Sequence, residues 1–290
     1  MPSRRSVLLG GAGAVVAGVA GAGLGVEKDV LPGRTFAYEH LGLNGADGVV
    51  PDVEPGRVES GTFGSAARGR EVGYEIVFPP GEDDPLLPLV VALHWLGADA
   101  ARLTSGQLGL DRFLAQHVAD GGAPFVIAAV DGGRGYWHPH DGDDAGAMVL
   151  DELIPLLHDR GHETARVGWL GWSMGGYGAL RLAGLRGAAA TSAVAVASPA
   201  LWREAGESSR DGFDDADDYR AYSAFGREDE LDGIPVRIDI GRGDPFYFEV
   251  EAYAGGLAGD AELHVERGGH TPGYWRRVLP AQLAWLGVRV

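Results

Sequence analysis

Between residues 72 and 266 the chain repeatedly sets a short apolar run beside a longer stretch of helical periodicity, and few architectures accept that alternation. Residues 89–93, 125–130, 167–172, 193–197 and 236–240 read as strands buried on both faces. Residues 72–78 add a strand stopped by Pro79 and Pro80, and residues 263–266 a weaker one. Helices are expected over 100–119, 145–159, 174–185 and 274–286. In the second of these, Met148, Val149, Leu153, Leu156 and Leu157 recur along one side, while Pro155 should kink or shorten it. The succession predicts an α/β fold with one mostly parallel central sheet and helices on both faces. A chain of 290 residues holds one such domain, over residues 57–290, and not two. Residues 201–233, rich in Asp, Glu, Gly and Ser, read as a surface excursion that could act as a lid.

Ser3, Arg4 and Arg5 precede 20 uncharged residues, 7–26, dominated by Gly, Ala, Val and Leu. An arginine pair before a weakly apolar stretch is the pattern of a twin-arginine export signal. Ala20, Gly21 and Ala22 offer a small-residue cleavage point. Each glycine weakens a spanning helix by about 1 kcal/mol relative to Ala, so a cleaved signal is expected over residues 1–26, with no stable membrane span. The mature chain should then be secreted or held in the cell envelope. Residues 27–56, studded with Gly and Pro, read as a linker or an arm laid on the surface. The net charge of -17 repels phosphate backbones, so no nucleic-acid partner is expected. The absence of cysteine excludes disulfides, a thiolate nucleophile, thiolate metal sites and a lipidated cysteine.

The strand at 167–172 runs straight into Gly171-Trp172-Ser173-Met174-Gly175-Gly176, and a helical stretch follows at once. Among 48 glycines, Gly-x-Ser-x-Gly alone means little. The strand before it and the helix after it make it a nucleophile elbow: a strained turn that presents a serine and needs small flanking residues for helix to pack on strand. The helix N-terminus then lies near developing negative charge. Such a serine needs an acid and a histidine, in that chain order. Asp244 follows the 236–240 strand in Gly241-Arg242-Gly243-Asp244-Pro245, at a strand's carboxyl end where ligands gather. Asp239 is a rival, but inside a strand it reads as a buried carboxylate paired with an arginine. His270, in Gly268-Gly269-His270-Thr271-Pro272, can reach back to the serine from a flexible loop, whereas His264 sits in a strand.

Two backbone N–H groups should stabilise the oxyanion: that of Met174, after the serine, and one from the loop beyond residues 89–93, where Leu96 is the choice. Residues 136–144 form a dense aromatic and polar loop after the 125–130 strand. Its His138-Pro139-His140 pair lacks the closing histidine of a zinc motif, so no metal is expected. The loop should line a substrate pocket, with Trp137 and Trp172 as walls and Trp95 and His138 in contact with substrate. No organic cofactor is needed.

The elbow GWSMGGYGAL, the loops carrying Asp244 and His270, the segment GRVESGTFGSAARGREVGYEIVFPPG and the segment DGGRGYWH resemble the "Putative esterase" family of α/β-hydrolases. That family includes S-formylglutathione hydrolases (esterase D) and the antigen 85 mycolyltransferases. The resemblance spans roughly residues 56–288 and implies the α/β-hydrolase fold, Ser173, Asp244 and His270 as a triad, and Leu96 and Met174 amides as the oxyanion hole. His94-Trp95-Leu96 departs from it by replacing the small glycine usual before the first oxyanion residue. The expected chemistry is hydrolysis of a small-molecule or lipid acyl ester through an acyl-enzyme. The alternatives are acyl transfer to a sugar hydroxyl, as in mycolyltransferases, and a non-catalytic binding role.

Overall fold

The computed structural model describes residues 33–82, 84, 86–259 and 261–290. The proposed export signal lies outside them. Eight strands form one sheet: β1 (Val58–Ser65), β2 (Arg70–Val77), β3 (Leu89–Leu93), β4 (Val126–Val130), β7 (Val167–Trp172), β8 (Thr191–Ala197), β9 (Val236–Gly241) and β10 (Glu262–Glu266). Two short strands, β5 (Pro139–His140) and β6 (Asp143–Asp144), pair separately. The order across the sheet is β1-β2-β4-β3-β7-β8-β9-β10. From β4 to β10 every neighbouring pair is parallel, and only β2 runs against its neighbours. After β3 the chain first pairs β4 on one side and later β7 on the other. That reversal opens a crevice at the carboxyl ends of β3 and β7, where an open α/β sheet places its ligands.

Side-chain alternation feeds two cores. Leu89, Val91 and Leu93 of β3 enter one face; Val90 and Ala92 enter the other. Slipping β3 by one residue would exchange the two sets, so burial on both faces pins the register that places Leu93 beside Gly171. Helices Met174–Arg186 and Ile154–Asp159 cover the first face; Leu110–Ala119 and Pro272–Gly287 cover the second.

Several expectations are revised. The helix predicted over 100–119 is two helices, Ala100–Thr104 and Leu110–Ala119, because the chain turns at Gly109 with φ +76°. The helix at 145–159 stays continuous, but Met148–Leu153 winds as a π-helix just before Pro155, whose ring and missing N–H spoil a regular α-turn there. Strand β1 and helix Tyr247–Gly256 were not expected. Residues 201–233 are less superficial than their composition suggests: Phe213, Tyr219, Ala224 and Leu231 are buried on the sheet's first face. Asp239 does pair with an arginine, accepting two hydrogen bonds from Arg237 at 2.7 and 2.8 Å and a third from Gln282 at 2.9 Å. Residues 33–48 begin with helix Arg34–His40 and pack over the loops that follow β9 and β10, burying Arg34 and Tyr38, while Val50, Val53 and Gly56 lie against Gly109, Arg112 and Phe78. Among the described residues no helix is long and apolar enough to cross a membrane.

Candidate active site

Ser173 stands between the last residue of β7 and the first of helix Met174–Arg186, with φ 54° and ψ -117°. A serine rarely adopts positive φ, and the neighbourhood forces it here. A Cβ on Gly175 would lie 1.9 Å from the Leu93 carbonyl oxygen, and one on Gly171 would lie 2.2 Å from that of Gly175. On Gly176 it would crowd Pro199 at 2.9 Å. The three glycines thus let the helix start press against the ends of two strands. Ser173 N–H donates to the Ala197 carbonyl at 3.1 Å, which ties the turn to β8.

The other two residues arrive from loops nearer the sheet's edge. His270 Nε2 is 2.7 Å from Ser173 Oγ, and His270 Nδ1 is 2.9 Å from Asp244 Oδ2. Asp244 is fully buried; its second oxygen accepts the Phe246 N–H at 2.9 Å. A carboxylate with both oxygens engaged fixes the imidazole as the Nδ1–H tautomer, leaving Nε2 to accept the serine proton. The backbones of the two loops are joined directly, Gly243 N–H donating to the Gly268 carbonyl at 2.7 Å.

A cleft of about 400 Å³ opens over this relay, lined by Trp95, Leu96, Gln107, Tyr136, Ser173, Phe246, His270, Pro272 and Trp275. Burial pushes the Tyr136 phenol up to about 12, so this wall remains neutral at ordinary pH. Met174 is the first residue of its helix, so its N–H has no partner within the helix. On the opposite side, His94 fixes the loop that carries Leu96. Its Nδ1 lies 2.8 Å from the Trp95 carbonyl, and its Nε2 accepts the Gly132 N–H at 2.9 Å. The Trp95 carbonyl also accepts the Ala98 N–H, which turns the planar Trp95–Leu96 peptide so that its N–H faces the other way.

The profile of the family described as "Putative esterase" matches residues 65–286. The chain belongs to this family. Membership makes it an ester hydrolase of the serine type, with the α/β-hydrolase fold. Among solved structures it is similar to a ferulic acid esterase, with a TM-score of 0.65, 19% identity, and coverage of 82% of this chain and 100% of that one. It is also similar to an S-formylglutathione hydrolase from Agrobacterium tumefaciens, with a TM-score of 0.66, 17% identity, and coverage of 82% and 97%. A ferulic acid esterase from Anaeromyces mucronatus gives 0.62, 17%, 81% and 93%. No curated protein matches the chain.

Within this esterase the structure brings Ser173, His270 and Asp244 into one hydrogen-bonded line and puts Leu96 and Trp95 on the cleft. Three residues expected in the pocket lie elsewhere. Trp137 has no exposed surface and fills the gap between Gly132 and Gly178, where an added Cβ would meet its ring at 2.2 and 2.4 Å. Trp172 is equally buried, in the core on the sheet's second face. His138 is buried with Nε2 2.5 Å from the Gly212 carbonyl, its ring stacked with Phe213 and Tyr222. Its neighbours His140 and Asp218 bring ligand-type atoms within 4.8 Å of one another, but both His138 nitrogens face carbonyl oxygens. Burial also pushes that imidazole below its ordinary value, which suits packing between two loops. Of the 136–144 loop expected at the pocket, Tyr136 lines the cleft, oriented by a φ of 47°; Phe246 and Trp275 line it without having been singled out, Trp275 because its helical spacing looks like core.

Proposed function

We propose that the protein is an exported esterase whose Ser173 attacks an acyl carbonyl with His270 as general base and Asp244 as its orienting acid. The supporting observation is the unbroken contact from Asp244 Oδ2 through His270 to Ser173 Oγ, at 2.9 and 2.7 Å. As the serine oxygen bonds to the carbonyl carbon, its proton passes to His270 Nε2, and the Nδ1–H bond to Asp244 stabilises the resulting imidazolium. The oxyanion accepts the N–H groups of Met174 and Leu96. Collapse breaks the ester C–O bond; the departing alcohol takes the proton from Nε2. Water then repeats the sequence on the acyl-enzyme, losing a proton to His270 and freeing Ser173.

Four aromatic rings on the cleft, from Trp95, Tyr136, Phe246 and Trp275, favour an apolar or aromatic acyl group over a charged one. Ferulic acid esters, the substrate class in the names of the ferulic acid esterases, fit that lining, as do lipid acyl esters. A fluorophosphonate probe should label Ser173. Hydrolysis of p-nitrophenyl esters of graded chain length, and of methyl ferulate, should vanish in Ser173→Ala. Equal rates for wild type and variant would defeat the proposal. Export through Arg4 and Arg5 predicts that replacing both with Lys retains the protein inside the cell.

A further inference from the structure

We infer that residues 34–48 form a strap that sets the aspartate and histidine of the relay against Ser173, and that Arg34 is its positioning residue. This inference rests on the serine-esterase reading. Asp244 and His270 stand on loops beyond β9 and β10, and β10 is the sheet's edge strand, with its residues only partly covered. The two loops are instead covered by a stretch that precedes the family-matched residues 65–286.

Three attachments define it. Arg34, 6% exposed, donates from its guanidinium to the Asp244 carbonyl at 3.0 Å, while its plane lies 4.6 Å from the Tyr247 ring centre and 4.3 Å from that of Phe248. Asn44 fills the space between the two catalytic loops: a Cβ on Gly243 would meet Asn44 Oδ1 at 2.4 Å, and one on Gly269 would meet its Nδ2 at 2.9 Å. At the far end Gly48 N–H donates to the Gly273 carbonyl at 2.8 Å, and Arg277 donates to the carbonyls of Asn44 at 3.1 Å and Ala46 at 2.5 Å. Both attachments at this end lie on the helix that His270 leads into.

The strap therefore touches the residue before Asp244, Asp244 itself, the residue before His270 and the start of the following helix. None of these attachments is made to a residue that lines the cleft. Loosening it should move the imidazole relative to Ser173 Oγ and leave the acyl pocket intact. Misplacement on this scale costs rate by roughly tenfold to a hundredfold.

The test compares wild type, Arg34→Met, Arg34→Lys and Arg277→Gln in the full chain, reading kcat and KM on a p-nitrophenyl ester and the rate of fluorophosphonate labelling. Arg34→Met should lower kcat and labelling rate together by roughly tenfold to a hundredfold with KM nearly unchanged. Arg34→Lys keeps a donor for the Asp244 carbonyl and should recover part of the loss. Arg277→Gln, acting from the other end, should show a smaller loss of the same kind, and it carries the test if Arg34→Met does not fold. Wild-type kcat and labelling rate in folded Arg34→Met, or in Arg277→Gln where only that variant folds, would overturn the strap, even with a lowered melting temperature. Failure of wild type to label at all would overturn the esterase reading instead.

Discussion

The serine half of the site and the histidine half differ in how they are held. Ser173 follows a central strand buried on both faces, and its backbone is wedged by glycines against the carbonyls of Leu93 and Gly175. Nothing there can shift without moving the sheet. His270 follows an edge strand; Gly241 packs closely on the Gly268 backbone two residues before it, but around the imidazole itself and its neighbour Gly269 stand side chains, among them Asn44, Asp244 and Phe246. Strain can be stored where backbone meets backbone, whereas the imidazole, the proposed general base, is held by contacts that can yield slightly.

Substitutions break this contrast in a graded way. Ser173→Ala should lower kcat by on the order of a million-fold, measured by ester hydrolysis, with the melting temperature little changed. Asp244→Asn leaves the contact in place but favours the wrong imidazole tautomer; a loss of about ten-thousand-fold in kcat is expected. A pair of glycine variants contrasts the two halves directly. Gly175→Ala drives a methyl into the Leu93 carbonyl and should destabilise by at least about 1–3 kcal/mol in urea unfolding. Gly269→Ala meets first the Asn44 amide, at 2.9 Å, the end of a side chain that can swing aside, so its cost should be smaller. Equal costs would erase the distinction between the halves.

The smallest effect is a pH slope. Burial pushes His94 below its ordinary value, although its bond to the Trp95 carbonyl works the other way. The unfolded chain therefore takes up this proton first. Stability should fall as pH drops below about 6.5, the unfolded histidine value, and level off once the folded pKa is passed. Asp143 adds loss further into acid: burial raises its carboxyl, but the Arg68 and Arg70 guanidiniums outweigh that and hold it below the usual range. Melting temperatures from pH 8 to 5 should show the first decline in wild type and a flatter one in His94→Gln.

What could be read from the chain follows the same division. Central strands carry their own signal, because burial on both faces demands unbroken apolar runs, and Gly171, Gly175 and Gly176 mark close backbone approach. Strand β1 escaped notice because Val58–Ser65 mixes Glu, Ser, Thr and two glycines on a strand with one neighbour. Trp137 and Trp172 show the limit of residue type: a tryptophan suits a pocket wall and a core equally, and only the gap between Gly132 and Gly178 decides for Trp137. The loop histidine was legible from its glycine neighbours. The contact between Arg34 and Asp244, 210 residues apart, was not, since no local pattern encodes it.

That contact bears on where this enzyme begins. Shared ancestry with its relatives is visible over residues 65–286, yet the carbonyl of the buried acid is gripped by a side chain 31 positions upstream of that stretch. If the strap acts as proposed, trimming the polypeptide to its recognisable portion would keep Ser173, Asp244 and His270 and discard the contacts that steady the last two. On that proposal, a working catalyst would need more of the chain than the unit that kinship reveals.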